Sequence, residues 1–206
     1  NNSLIIAQDW GRIWCFGDSA GIDFSNLSMP VPDSSYMDCS ESSASVGDSA
    51  HGLLMYAHTD YWPIWIQGYE RTTVIHNANH QIMFNGDSLI GNAFHNGLTF
   101  IPKPGSDSLF YLFQWGFSQD SGIYYSKVNP YYNNKYGIVL EKNIPLQLTN
   151  RSLQAGVCTV KHGNGRDWWL VFKLSGDAPG VNNIFYIFFY IPYGYFISIS
   201  SINRKH

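Results

Sequence analysis

Charge is what this sequence has least of. Asp, Glu, Lys and Arg make up 13% of its 206 residues, about half the usual share, and the net charge is −3. A disordered chain needs high charge and few aromatics, so this composition excludes one. The twelve Lys and Arg are scattered. Without a basic field, no nucleic-acid partner is expected. Long apolar runs are missing as well. No run approaches the roughly 18 apolar residues of a membrane-spanning helix, so no membrane span is predicted. No stretch keeps the 3.6-residue periodicity of an amphipathic helix. No Gly-rich phosphate loop opens a helical pattern, and no Gly-x-Ser-x-Gly elbow occurs. No cofactor is expected.

Cysteine is scarce, and the three present, Cys15, Cys39 and Cys158, cannot form a fully paired set. Cys15 and Cys158 lie in apolar runs and read as small buried thiols. A Cys15–Cys158 bridge stays open, because spacing carries no distance.

Aromatic residues, at 17%, are what is there instead, and they suit strands. Trp10 to Phe16 is an aromatic run, Gly17 to Gly21 a turn, and Ile22 to Phe24 a short strand. Asn26 to Ser42 is rich in Ser, Pro and Asp and reads as a long loop. Ala44 to Asp48 and Gly52 to Tyr56 read as strands around a turn that Asp48 opens and Gly52 closes. Pro63 makes Tyr61 to Trp65 an edge strand or loop. Thr72 to His76 is β-branched strand. Ser108 to Trp115 and Gly122 to Val128 follow. Tyr136 to Glu141 and Ile144 to Leu148 are weaker. Ala155 to Val160 pairs with Asp167 to Leu174 around a turn, and Asn183 to Ile191 and Phe196 to Ile202 close the chain. Short strands with turns at near-regular spacing predict an all-β fold, a sandwich or a propeller. The order weak strand, turn, aromatic strand, turn, strand is visible around Leu53, Leu109 and Trp168 and is read as the roughly 45-residue period of propeller blades, which favours a β-propeller or partial β-propeller of about four blades. Residues 10–206 form that domain. Residues 1–9 read either as the tail of a signal peptide, with Leu4 to Ala7 as its apolar end, or as an extended N-terminus.

The stretch from Thr73 to Pro104 gathers His, Asn and Asp around Asn85-Gly86, a strong turn signal. Set beside the other strands, it is best read as the connector between successive sheets.

Four segments carry a family resemblance: IWCFGDSAGIDF (Ile13 to Phe24), ASVGDSAHGLLMY (Ala44 to Tyr56), NANHQIMFNGDSLIGN (Asn77 to Asn92) and VKHGNGRDWWLV (Val160 to Val171). In order and spacing they resemble the N-terminal β-propeller region of large secreted surface proteins of the Bacteroidetes, which carry gliding-motility-associated or type IX secretion sorting domains at the C-terminus. The resemblance implies a propeller scaffold and a secreted or cell-surface location. The chain departs from it at Tyr61 to Glu70, which is longer and more aromatic, and in having about four blades where the family has more. An open propeller would leave an unpaired edge that invites strand exchange with another chain.

Candidate site residues follow from residue type. Trp62, Trp65 and Tyr69 fall in a loop-like stretch, where aromatics stack on sugars or anchor protein contacts, or else cap a blade core. Tyr131, Tyr132 and Tyr136 are a second aromatic group. Ser118-x-Asp120-x-Gly122-x-x-Tyr125 resembles the Asp-box turn of sialidase-like propellers and is read, with Asn85 and Gly86, as structural. His76 and His80 have a spacing that needs a helix to hold a metal, so they and His95 read as turn residues, and no metal site is expected. Glycosidase chemistry needs two carboxylates about 5 to 10 Å apart. Asp23, Asp48, Asp60, Glu70, Asp120, Glu141 and Asp167 are available, with none beside an obvious partner. The expected function is therefore a non-catalytic surface or extracellular module for adhesion, recognition or assembly. Its partner would be a protein or glycan on a surface, or another copy in a homo-oligomer. A glycoside-acting enzyme and a self-assembling filament subunit are the alternatives.

Overall fold

The computed structural model describes residues 9–39, 42–48, 50–60, 72–91, 97–116, 122–148, 153–174 and 184–201. The chain is all-β. Its strands form four antiparallel sheets taken in chain order. Sheet I holds β1 (Ile13–Phe16), β2 (Asp18–Asp23) and β3 (Val31–Asp38). Sheet II holds β4 (Ser43–Asp48), β5 (Gly52–Thr59), β6 (Thr72–Asn77) and the short β7 (Leu89–Ile90). Sheet III holds β8 (Leu98–Pro102), β9 (Phe110–Gly116), β10 (Gly122–Asn129) and β11 (Ile138–Leu148). Sheet IV holds β12 (Leu153–Lys161), β13 (Trp168–Leu174), β14 (Ile184–Ile191) and β15 (Gly194–Ser201). Each sheet is a meander whose hydrogen-bonded neighbours are consecutive in sequence. The first strands lie side by side, β1 against β4, β4 against β8 and β8 against β12.

Cores lie between sheets. Between sheets II and III sit Leu54, Met55, Ala57, Ile75, Leu98, Phe110, Leu112 and Val139. Between III and IV sit Ile101, Phe113, Trp115, Ile123, Leu170, Phe172 and Phe188. Alternate residues of a strand point to opposite faces, so β9 sends Phe110 and Leu112 one way and Phe113 and Trp115 the other. That explains why Phe110 to Phe113 is apolar without alternation. A smaller cluster of Ile13, Cys15, Met37, Cys39 and Tyr56 joins sheets I and II. Burying each large side chain stabilises by roughly 1.5–3 kcal/mol.

Polar groups pin the seam between II and III. Asn143 breaks β11 with a φ of 57°, and its Oδ1 accepts from the Ile90 amide at 2.9 Å and the Gln114 side chain at 2.8 Å. Asn85 donates to the Val139 carbonyl at 3.1 Å, and Asn77 to that of Tyr136 at 3.1 Å. The Asn85-Gly86 turn uses its two residues differently. Asn85 takes the positive φ, 60°. Gly86 is needed for closeness, since a Cβ there would lie 3.0 Å from the Ile75 and Met83 carbonyl oxygens.

Several sequence expectations change. Val31–Asp38 is a strand and not part of a loop. Its Pro32 is tolerated at a sheet edge, and Ser35 and Met37 turn inward in alternation. The turn after β1 shrinks to Gly17, with β2 starting at Asp18. Where two strands were expected between Tyr136 and Leu148, one bulged strand forms, β11, starting at Ile138. Residues 132–135 form one short turn in which Asn133 and Asn134 have positive φ. The repeat is longer than 45 residues: sheets II, III and IV begin at Ser43, Leu98 and Leu153, 55 residues apart each time. The three cysteines are free, and Cys158 is exposed, because it sits on the open face of sheet IV. No helix among the described residues is long and apolar enough to cross a membrane.

Candidate functional site

The strands that bury aliphatic residues toward sheet III present a different face to sheet I. On β5, Met55, Ala57 and Thr59 face sheet III. Tyr56, His58 and Asp60 alternate with them and face the other way. β6 pairs antiparallel with β5 and sets His76 directly opposite Tyr56. The rings stack: His76 lies 5.0 Å from Tyr56 with planes 14° apart, and His58 lies 5.4 Å from His76 at 21°. The ladder continues outward. The Tyr56 hydroxyl accepts from the Tyr36 amide at 3.1 Å and lies 3.0 Å from His80 Nδ1. The Tyr36 ring covers His80 at 4.8 Å. His80 reaches this place because it takes a φ of 61° at the end of the Asn77 turn.

The inner end of the ladder is short of partners. Neither ring nitrogen of His58 nor Nδ1 of His76 has a hydrogen bond of good geometry, and the Ser42 hydroxyl also lacks one. The nearest carboxylate oxygen to His58 is that of Asp60, at 3.5 Å. Burial lowers the His58 pKa and raises that of Asp60, while each charge favours the other. Burial also pulls His76 down to about 4, with His58 and His80 adding repulsion. The His58 and His76 imidazoles are therefore held neutral near pH 7, with ring nitrogens short of hydrogen bonds side by side. Such an array can exchange a proton with Asp60 or bond to a hydroxyl-rich group. Among the described residues, no three His, Cys, Asp or Glu gather in a way that could hold a metal ion.

The other candidates have separate settings. Asp48 ties its own turn, accepting from the amides of Ala50 at 2.9 Å and His51 at 2.5 Å. Burial would raise its pKa, but the bonds from His51 and Tyr131 bring it below the usual carboxylate range. Asp167 holds the β12–β13 turn through Arg166 at 2.7 and 2.9 Å and Asn164 at 2.6 Å, and the Arg166 bonds lower its pKa most. His162 accepts from the Asn164 amide in the same turn at 3.2 Å. Asp23 accepts from the Ser25 amide, and Glu141 pairs with Lys127. Tyr132 and Tyr136 are exposed, while Tyr131 is half-buried with its hydroxyl on Asp48 at 3.2 Å. Gly122 opens β10, and Tyr125 packs against the III–IV core. Trp62, Trp65, Tyr69, Glu70, His95, Ser118 and Asp120 lie outside the described residues.

Sequence reasoning considered His76 and His80 for metal binding and missed the ladder. Its signal was present: Tyr56-x-His58-x-Asp60 in a strand puts three polar side chains on one face. Comparison with protein-family models, curated proteins and solved structures finds no match.

Proposed function

We propose that the chain is a run of β-propeller blades from a secreted surface protein of the Bacteroidetes type. It works as a non-catalytic module for adhesion, recognition or assembly. Four meander sheets in series, with their first strands adjacent, support the propeller reading. The segments that resemble the family support it further. Three of the four span the first hairpin of a sheet, in sheets I, II and IV.

The observation that carries the recognition reading is the display of large aromatic side chains on rigid sheets. Trp14 on sheet I is 55% exposed and Trp169 on sheet IV is 37% exposed. Rigid aromatic surfaces bind sugars and proteins at low entropic cost. The aromatic residues Trp62, Trp65 and Tyr69 remain the preferred ligand contacts. Binding of the purified chain to a glycan array and to bacterial envelope fractions tests this. Retained binding in a Trp62→Ala, Trp65→Ala, Tyr69→Ala triple variant removes those contacts. No binding to any surface removes the recognition reading, and release of sugar from a glycoside panel replaces it with the enzymatic one.

A further inference from the structure

Two segments beside the seam between sheets II and III hold large rings out in water. Both sheets pack against a neighbour on either side, so these rings stand on the surface of the stack and not at an end of it. After the Asn77 turn the chain runs back along β6, with Ile82 paired to His76. Met83 turns into the core, and Phe84 beside it is 73% exposed. In the connection from β10 to β11, Tyr132 and Tyr136 are each 51% exposed. The two segments are tied together. The Val139 amide donates to the Phe84 carbonyl at 2.9 Å, and the Asn77 side chain donates to the Tyr136 carbonyl at 3.1 Å. Gly137 sits so close to Met83 that a Cβ would lie 2.6 Å from the sulfur. The turn that carries the tyrosines is strained. Asn133, Asn134 and Lys135 have φ of 47°, 53° and 71° in succession. L-residues enter this region singly and at a cost, yet all three are exposed and bury nothing in return. Strain of this kind collects at functional sites.

We propose that Phe84, Tyr132 and Tyr136, with the side-chain amides of Asn133 and Asn134, form a binding site for a neutral glycan. The proposal rests on the recognition reading and gives it a second contact site and a ligand class. Three observations select this ligand. First, the rings stand apart: among the described residues none of the three stacks on another ring, so each offers a face to the C–H face of one sugar unit. The anchors of a protein contact cluster instead in close-packed pockets. Second, the polar groups between the rings are amides and phenols, which donate to and accept from sugar hydroxyls. Third, charge is nearly absent. Lys135 is the one charged side chain of the turn, and nearby Asp87 and Lys142 face each other at 3.4 Å. Nothing there builds the field that would select a sulfated or uronic-acid polymer.

Affinity electrophoresis tests this, in gels that hold glucan, mannan, xylan or galactan, with alginate and heparin as charged controls. At least one neutral polymer should retard the chain, and neither charged polymer should. The double variant Tyr132→Ala, Tyr136→Ala should weaken that retardation about tenfold in Kd or more, with an unchanged circular dichroism spectrum. Phe84→Ala lies on the other segment and should weaken it without touching the turn. Tyr132→Phe with Tyr136→Phe keeps the rings and should keep most of the affinity. Ile82 and Leu140 are exposed alongside, and a protein partner would bury them, whereas a sugar stacks on the rings. Ile82→Ser with Leu140→Ser should therefore leave retardation unchanged. Four results overturn the proposal: no neutral polymer retards the chain, the charged polymers retard it equally, retardation survives the alanine variants, or it is lost with Ile82 and Leu140. A chain that binds bacterial envelope fractions but no neutral polymer removes this site and leaves the recognition reading standing. A chain that binds neither removes both.

Discussion

The two seams on either side of sheet II are built on different chemistry from the same strands. Toward sheet III, β5 and β6 offer Met55, Ala57 and Ile75 to Leu98, Phe110 and Leu112, and Asn143 bridges the sheets with two accepted hydrogen bonds. Toward sheet I, the same two strands offer Tyr56, His58 and His76, with three ring nitrogens short of a hydrogen bond of good geometry. One seam is aliphatic and satisfied in its hydrogen bonds. The other stores buried, proton-accepting groups. Stability against truncation should concentrate in the first seam, and sensitivity to acid in the second.

The largest effect is expected from Leu112→Ala. Leu112 is fully buried in the aliphatic seam, and removing such a side chain costs about 2–5 kcal/mol in lost transfer energy and cavity. Urea denaturation should show the midpoint falling with little change in slope. A loss under about 1 kcal/mol would mean that the seam can collapse around the gap.

Acid should act on the other seam. An unfolded His76 titrates near 6.5 and the folded one near 4. Above pH 6.5 neither state takes the proton. Between these values only the unfolded chain does, so stability falls as pH drops, by at most about 1.4 kcal/mol per pH unit. Below about pH 4 both states are protonated and the slope ends. His58 is also lowered and acts in the same direction. Asp60 is raised, so its contribution falls as pH rises above the ordinary aspartate range and offsets part of the slope. Denaturation at pH 6.5 and 5 should differ by about 2 kcal/mol or less, and His76→Phe should flatten the difference. An equal slope in that variant would place the acid sensitivity elsewhere.

Asn143→Ala tests the polar half of the satisfied seam. It strands the Ile90 amide and the buried Gln114 side chain, and an unsatisfied buried group costs about 1–3 kcal/mol. The positive φ of Asn143 adds a preference for glycine. Asn143→Gly therefore separates the two causes: it keeps the φ and loses the bonds, so any recovery relative to alanine measures the backbone part.

Much of the fold was legible because strand signals are local. β5, β6, β9 and β13 follow from aromatic and β-branched runs, and the Asp48 turn from Asp and Gly at its ends. What escaped was non-local. Val31–Asp38 is polar because both it and its neighbour β2 lie at the outside of the stack. Cys158 sits in an apolar run yet is exposed, because whether an alternating face is core depends on which sheet lies against it. His58 is invisible as a site until β6 places His76 beside it. The 55-residue repeat blurred because β7 is only two residues long and the β5–β6 and β10–β11 connections differ in length.

His58→Leu is the smallest effect and the sharpest on the meaning of the ladder. If the ring only fills space, it does so at a cost, because both nitrogens are buried without a hydrogen bond of good geometry and the nearest carboxylate, Asp60, is 3.5 Å away. Leucine removes the polar atoms and keeps most of the volume, an exchange that is often neutral or stabilising. Stability at pH 7 should then stay within about 1 kcal/mol or rise. It should rise further at pH 5, where the unfolded histidine would otherwise take a proton. If His58 instead serves a bound hydroxyl-rich group through Asp60, the variant keeps its stability and loses surface binding. A marked loss of stability at pH 7 would exclude both readings and show that the imidazole is held by partners that its geometry alone does not reveal.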